Sequence, residues 1–321
     1  MDSTPERKLD IFRTMLLSRR LDERAWVLHR QKKISFHISA IGHEAAQVGA
    51  AFALLHGADW VAPYPRDLAL MLSLGLRPVD YFKMLLGKPA DEDSGGRQMP
   101  GHWNLPSANV ISISGIAASH LPHAVGIAQA MRLRRDQTAV LASCGEGATS
   151  MGEWYEAVNW AAVSRLPIVF LVQNNSYAIS THQKAQMLRS PSHKASGIGL
   201  PVKKVDGNDP FKVYEAVDRM LEDARSGKGP GLVEALVMRI PPHSSDDDDR
   251  IYRTREEVEE ARREDPLFSL RSRLLREGLL TRDLVLEMDA DIKTSVEEAL
   301  QAAEEAEDPQ PDAETGAVYA T

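Results

Sequence analysis

Glu146 stands between Gly145 and Gly147, and about thirty residues further on Asn174 and Asn175 stand side by side. Each group follows a short apolar run, at 138–144 and 168–173. A carboxylate from Glu146, an amide oxygen from Asn175 and a backbone carbonyl, for which Tyr177 is the candidate, suit a small hard cation such as Mg²⁺. Such an ion keeps water and takes its other ligands from phosphate oxygens. The two glycines let the backbone turn sharply and approach a ligand closely. The amides of Gly147 and Ala148, at the start of the next helix, would face those phosphates. The chemistry implied is a diphosphate held together with Mg²⁺.

Holding these groups together takes a strand, a turn, a helix and a second strand. Runs 138–144 and 168–173 read as fully buried parallel strands. Ser150 and Glu153 form an S-x-x-E capping box, predicting a helix that reaches about Val163, and Pro167 ends the connection. A strand–helix–strand crossover in one sheet is right-handed, so both strands point their carboxyl ends at one edge. Ligands of open α/β sheets sit at that edge. A further strand is predicted at 232–240, and His243 follows it at the same edge. An imidazole there can donate to a phosphate and move a proton near neutral pH. The alternative is a lone exposed loop histidine. The aspartates at 246–249 read as a solvated face.

With 43% hydrophobic residues the chain can bury a sizeable core, as one large domain or two small ones. A net charge of −8 argues against nucleic acid as the main partner. No apolar run approaches a membrane span, and the start, MDSTPERKLD, lacks the hydrophobic core of a signal peptide. The single cysteine, Cys144, excludes an internal disulfide, fits a reducing cytoplasm and reads as a small hydrophobe in its strand.

The remaining elements follow in order. Residues 8–30 form an amphipathic helix, with Phe36 and His37 in the loop after it, and Gly42-His43-Glu44 opens a second helix. The stretch 112–120 is rich in Ser, Ala and Gly; Ser114 and Ser119 are candidates for a structural monovalent cation or, more plainly, for helix caps. His120 and His123 lack the third ligand or carboxylate of a zinc site. Helix 121–134 carries a small-residue face at Ala124, Gly126, Ala128 and Ala130. Segment 181–196 is assigned no chemistry. A strand at 200–205, a turn at 206–210 and a helix at 211–225 come next, and the glycines at 227–231 lack phosphate-loop spacing. Thr254 and Glu257 make a second capping box, further helices reach about residue 307, and 308–321 reads as an extended or mobile tail.

The Gly-Glu-Gly turn followed by Asn-Asn resembles the thiamine diphosphate motif. GEGATSMGEWYEAVNWAAV and QNNSYAIST resemble the alpha subunit of the decarboxylating component of 2-oxo acid dehydrogenase complexes. So do GRQMPGHW at 96–103, VDGNDPF at 205–211 and PHSSDDDDRIYRTREEV at 242–258. The resemblance runs from about Lys8 to the last helix. It implies a thiamine diphosphate-binding α/β fold, with a central mostly parallel sheet flanked by helices and helical N- and C-terminal extensions. Residues 1–307 would form one domain binding the diphosphate and Mg²⁺. Metal ligands would be Glu146, Asn175 and Tyr177. The cofactor would be held by these with Arg66, Ser114, Ala117, Gly147, Ala148 and His243. Arg66 suits phosphate because a guanidinium meets its oxygens bidentately, a surface salt bridge being the alternative. Ala117, with Ile116 adjacent, would support the bent cofactor, and Phe36 would lie near the substrate side chain or plug the core. His243 would help pass the intermediate to the lipoyl acceptor. Ser244 matches a regulatory phosphorylation site of mitochondrial relatives, an ordinary loop serine being the default.

The family's cofactor-activating glutamate belongs to a second α/β half that these residues do not contain. The resemblance therefore implies a separate beta chain, an α₂β₂ assembly with the cofactor at the interface, and a lipoyl-bearing acyltransferase partner. The small-residue face of helix 121–134 would lie at a subunit contact, a buried pairing within the chain being the alternative. GRQMP, the Gly-Glu-Gly turn and HSSDDDD resemble branched-chain 2-oxo acid members most, with pyruvate or acetoin members as the alternative. The chain departs from the family at Pro65, where an aromatic residue is usual, and at Leu68-Ala69. A nicotinamide-binding oxidoreductase lacks support, because no third glycine follows at the fingerprint spacing and Asn174-Asn175 would go unexplained. A non-catalytic scaffold subunit is opposed by intact Glu146, Asn175 and His243.

Overall fold

The computed structural model describes residues 4–310. Helix α1 (Pro5–Arg30) starts at Thr4, whose hydroxyl accepts from the Arg7 amide, and at Pro5, which has no N–H to leave unpaired. Then come α2 (Glu44–Ala51), β1 (Trp60–Ala62), α3 (Leu68–Ser73) and α4 (Pro78–Leu86). The middle of the chain forms α5 (His120–Arg134), β2 (Val140–Gly145), α6 (Gly152–Val163) and β3 (Ile168–Asn174). A hairpin of β4 (Tyr177–Ala178) and β5 (Thr181–His182) leads into α7 (Gln183–Gln186) and α8 (Pro191–Ile198). After β6 (Val202–Asp206), α9 (Pro210–Arg225) and β7 (Gly231–Leu236), the chain ends in α10 (Arg255–Arg263), α11 (Pro266–Arg276) and α12 (Arg282–Glu304).

Five strands make one sheet in the order β1-β2-β3-β7-β6, every neighbouring pair parallel. Successive side chains of a strand face opposite ways, and the apolar runs use both faces. Leu141, Val169, Leu171, Val233 and Ala235 join a core with α1, α2, α9 and the C-terminal helices. Val140, Ala142, Cys144, Ile168, Phe170 and Val172 join a second core with α5 and α6. The expected mostly parallel sheet flanked by helices is thus what the chain forms. α1 packs on α12, joined by Arg20–Asp289, Arg24–Glu297 and Lys33–Glu304 pairs. The expected tail, 308–321, falls mostly on residues 311–321, which lie outside the described residues.

Three local expectations change. Ser150 and Glu153 do not cap α6: Glu146–Ser150 is a 3-10 turn, closed by the Thr149 hydroxyl on the Glu146 carbonyl at 2.7 Å. Met151 then takes extended backbone, and the helix starts at Gly152 without a side-chain cap. The Thr254–Glu257 box does form, with both hydrogen bonds present. The last strand stops at Leu236 rather than near 240. Asn174 of β3 and Asp206 of β6 both stand opposite Leu236, so beyond that register neither flank offers a ladder partner. Ser119 precedes α5 without capping it, its hydroxyl donating back to the Ile116 carbonyl at 3.0 Å.

Candidate functional site

A cavity of about 470 Å³ opens at the carboxyl ends of β2 and β3. Nine of the residues expected at the site line it: Arg66, Ser114, Ala117, Glu146, Gly147, Ala148, Asn175, Tyr177 and His243. Phe36 does not; it is half-buried outside the lining, and Ile38 stands in the wall instead. Pro65, the departure from the family pattern, is also in the wall, backed by Gly101. A Cβ on Gly101 would meet the Pro65 carbonyl oxygen at 2.9 Å.

Glu146 is 1% exposed, and its Oε2 accepts from the Asn175 amide at 3.3 Å. Its Oε1 is buried with no hydrogen-bond partner among the described residues. Burial raises this carboxyl above the usual range, opposed by hydrogen bonds and by Arg239 and Arg66. An unpaired buried carboxylate oxygen is costly, and a ligand there relieves it. Asn175 Oδ1 accepts from the Tyr177 amide at 3.1 Å, and its amide group meets His43 Nε2 at 3.0 Å. The Tyr177 carbonyl takes only a 3.4 Å bond, from Arg239. One orphaned carboxylate oxygen, one amide oxygen and one weakly held carbonyl fit a hard divalent cation.

The glycines act differently from expectation. Gly145 has an ordinary φ of −80°, so no special conformation is needed there. Gly147 is required by approach: a Cβ would come within 2.7 Å of the Ala178 Cβ on the β4–β5 hairpin.

Arg66 is buried, with one guanidinium nitrogen donating to the Ser39 carbonyl. Its other terminal nitrogen reaches His243 Nδ1 at 3.1 Å and the His243 carbonyl at 3.2 Å. A guanidinium only donates, so His243 Nδ1 accepts and the ring proton sits on Nε2. Burial, then Arg66 and Arg239, pushes the His243 imidazole down to about 3. This favours the neutral ring, with Nε2–H as its free donor. The loop after it is also less solvated than four aspartates suggested. Asp247 Oδ2 accepts from the His243 amide at 2.7 Å and from the Tyr252 hydroxyl, while Asp249 pairs with Arg253 at 3.2 Å. Ser244 is buried, and Ser245 exchanges two hydrogen bonds with His37.

Several participants were not singled out from sequence. Arg239 donates to the Tyr177 and Ile179 carbonyls and to the Tyr252 hydroxyl, and burial with Arg66 lowers it to about 10. Gln186, in a segment assigned no chemistry, lines the cavity with a buried, unpartnered Oε1. Tyr64 also lines it, its amide held by Asp67, whose carboxyl burial pushes up to about 7. A lone acidic residue inside the apolar run GLVEAL was the visible signal for Glu234, which is fully buried. His120 accounts for itself without a metal by bonding the Ser143 carbonyl at 2.7 Å. Among the described residues no cluster of three or more His, Cys, Asp or Glu could hold a metal ion, and no helix is long and apolar enough to cross a membrane.

Residues 12–312 match the family described as Dehydrogenase E1 component. The chain is 44% identical to the 2-oxoisovalerate dehydrogenase subunit alpha of Bacillus subtilis (strain 168), over 99% of this chain and 96% of that protein. It is 33% identical to the pyruvate dehydrogenase E1 component subunit alpha of Staphylococcus aureus (strain Mu50 / ATCC 700699), over 93% of this chain and 79% of that one. The corresponding pyruvate dehydrogenase subunit of Bacillus subtilis is also 33% identical, over 94% of this chain and 79% of its own length. With the parallel sheet, the cavity at its carboxyl edge and the family match over nearly the whole chain, this protein belongs to the dehydrogenase E1 component family.

Proposed function

We propose that the chain is the alpha subunit of a 2-oxo acid dehydrogenase that oxidatively decarboxylates branched-chain 2-oxo acids and delivers the acyl group to a lipoyl domain. The observation that carries this is the orphaned Glu146 Oε1 beside Asn175, in a cavity that also holds Arg66 and His243. Glu146, Asn175 and the Tyr177 carbonyl would hold Mg²⁺. Arg66, Gly147, Ala148 and His243 would hold the diphosphate of thiamine diphosphate, with Ser114 and Ala117 along its length. The bound cofactor supplies the carbanion chemistry that decarboxylation of a 2-oxo acid needs. This chain's part is to bind, orient and exclude water. His243 offers a neutral Nε2–H as donor, because its Nδ1 is taken by Arg66. The branched-chain assignment is supported by the higher identity and fuller coverage of the 2-oxoisovalerate relative.

A beta partner completes the site in this reading. The resemblance puts the cofactor-activating glutamate on another chain, in keeping with Glu146 being the only carboxylate that lines the cavity among the described residues. On α5 and α6 Leu133, Trp160 and Val163 are 75%, 44% and 77% exposed, large apolar side chains suited to burial in an α₂β₂ assembly. The resemblance further implies a cytoplasmic enzyme working beside a lipoyl-bearing acyltransferase.

The test is co-expression with the beta chain and 2-oxo acid-dependent reduction of an artificial electron acceptor, with and without thiamine diphosphate and Mg²⁺. Cofactor-dependent turnover with higher kcat/KM on branched substrates is expected. Preference for pyruvate would overturn the substrate assignment, and no turnover from a well-formed complex would overturn the enzymatic one.

A further inference from the structure

Asn174 and Asn175 are bifunctional side chains. A carboxamide turned by 180° exchanges an oxygen that can accept or ligate for an amino group that can only donate. In this structure both orientations are fixed from both sides. The Ser176 amide donates to Asn174 Oδ1 at 3.0 Å, and the Tyr177 amide donates to Asn175 Oδ1 at 3.1 Å. Backbone N–H groups donate only, so these contacts identify the oxygens, and the amino groups must face acceptors. Asn174 Nδ2 donates to Glu234 Oε1 at 2.7 Å, and Asn175 Nδ2 meets His43 Nε2 at 3.0 Å.

Both acceptors are fully buried, outside the cavity lining, and on elements remote in sequence. Glu234 lies within β7, where its second oxygen takes the Ser192 amide at 3.1 Å and the Ser192 hydroxyl at 2.5 Å. His43 immediately precedes α2. Immediately after the two asparagines Ser176 takes a left-handed φ of 68°, a conformation unfavourable for a side-chain-bearing residue and held here by Asn174 Oδ1. The turn sets where the Tyr177 carbonyl points.

We propose that Glu234 and His43 are the positioning residues of the Asn174–Tyr177 turn: two buried acceptors that fix the facing of the paired amides, so that Asn175 Oδ1 and the Tyr177 carbonyl are presented to a divalent cation beside Glu146. This rests on the Mg²⁺–diphosphate reading of the cavity. It explains why two asparagines are needed: Asn175 supplies the ligand, and Asn174 shapes the turn that presents it. It also gives a fully buried carboxylate in mid-strand a task at the site.

The experiment uses the full chain in complex with its beta partner, and follows Mn²⁺ binding by electron paramagnetic resonance with thiamine diphosphate present. Glu234→Leu and His43→Leu should each raise the half-saturating Mn²⁺ concentration ~10–100-fold, the usual effect of losing a group that orients a metal ligand. Excess metal should restore kcat to within about threefold, a split that general loss of structure would not give. His43→Gln, which keeps an acceptor, should stay within about threefold of the parent in Mn²⁺ affinity. If a leucine variant does not fold, Glu234→Gln carries the test. Its single acceptor oxygen must serve either Asn174 or Ser192, so affinity should still fall several-fold. Mn²⁺ affinity within twofold of the parent in the folded Glu234 and His43 variants overturns the proposal. Unchanged affinity in Glu146→Ala and Asn175→Ala would instead overturn the metal site itself.

Discussion

Glu146 and Glu234 are the same side chain, equally withdrawn from water, one at the tip of β2 and the other within β7. Glu234 is saturated, with Asn174 on one oxygen and the amide and hydroxyl of Ser192 on the other. Glu146 receives the Asn175 amide on one oxygen and has no partner on the other. A saturated buried carboxylate holds the fold together around it, whereas an unsaturated one is stabilised only when something binds. Two glutamates that composition counts as equal therefore differ in task, and only the partners reveal it.

Substitutions should separate the two tasks. Glu146→Gln should lower divalent-metal affinity by ~100-fold or more, since a ligand charge is lost. The metal-free protein should become more stable by about 1 kcal/mol, because a desolvated charge is removed. Metal titration and urea unfolding of the same preparation check both halves. Glu234→Leu should do the reverse in stability, losing about 3 kcal/mol as Asn174 and Ser192 are left unpaired. Equal stability changes in the two variants would erase the distinction.

His243 extends the comparison to a group kept neutral. Its pKa is lowered on folding, so between about 6.5 and about 3 the unfolded chain binds the proton more readily. The His243 contribution is therefore fully present above pH 6.5 and is lost as pH falls through that window. The stability difference between pH 7 and pH 5 should shrink by about 2 kcal/mol in His243→Gln. An activity profile with a His243-dependent inflection near pH 6.5 would contradict the neutral ring.

The smallest effect concerns the two S/T-x-x-E sequences. Thr254→Ala should cost about 1 kcal/mol, since its hydroxyl accepts from the Glu257 amide at 3.2 Å. Ser150→Ala should change thermal stability by less than about 0.5 kcal/mol, because Ser150 caps nothing. Equal losses would mean the 3-10 turn does not displace the cap.

These pairs also show what was readable in advance. The strands at β2 and β3 and the helix between them announce themselves by short, continuous apolar runs and a fixed crossover hand, and nine of the ten expected site residues line one cavity. Local signals stopped short where tertiary contacts decide. Ser150 carries the same signal as Thr254, but the tight turn at Glu146–Ser150 takes the helix start away from it. The end of β7 depends on where two other strands end, which no window around residue 236 contains. Phe36 and Ile38 are apolar neighbours in one loop, and which of them reaches the cavity depends on how that loop is tied to Asp22 and Ser245. Arg239 and Gln186 had no motif around them; Arg239 acts by meeting carbonyls about sixty residues away, and Gln186 reaches the cavity only through the fold.

The pairing of α1 with α12 has a consequence for how the protein is made. Arg20 meets Asp289 and Arg24 meets Glu297 across 269 and 273 residues of chain. On the ribosome the first helix can cover part of its apolar face against α2 and α3 soon after it emerges, but its α12 partners are made only about 270 residues later. The β2–α6–β3 crossover, closed over a much shorter stretch, can assemble well before that. The β2–β3 part of the cavity edge can thus pair before α12, the distant partner of α1, has been made.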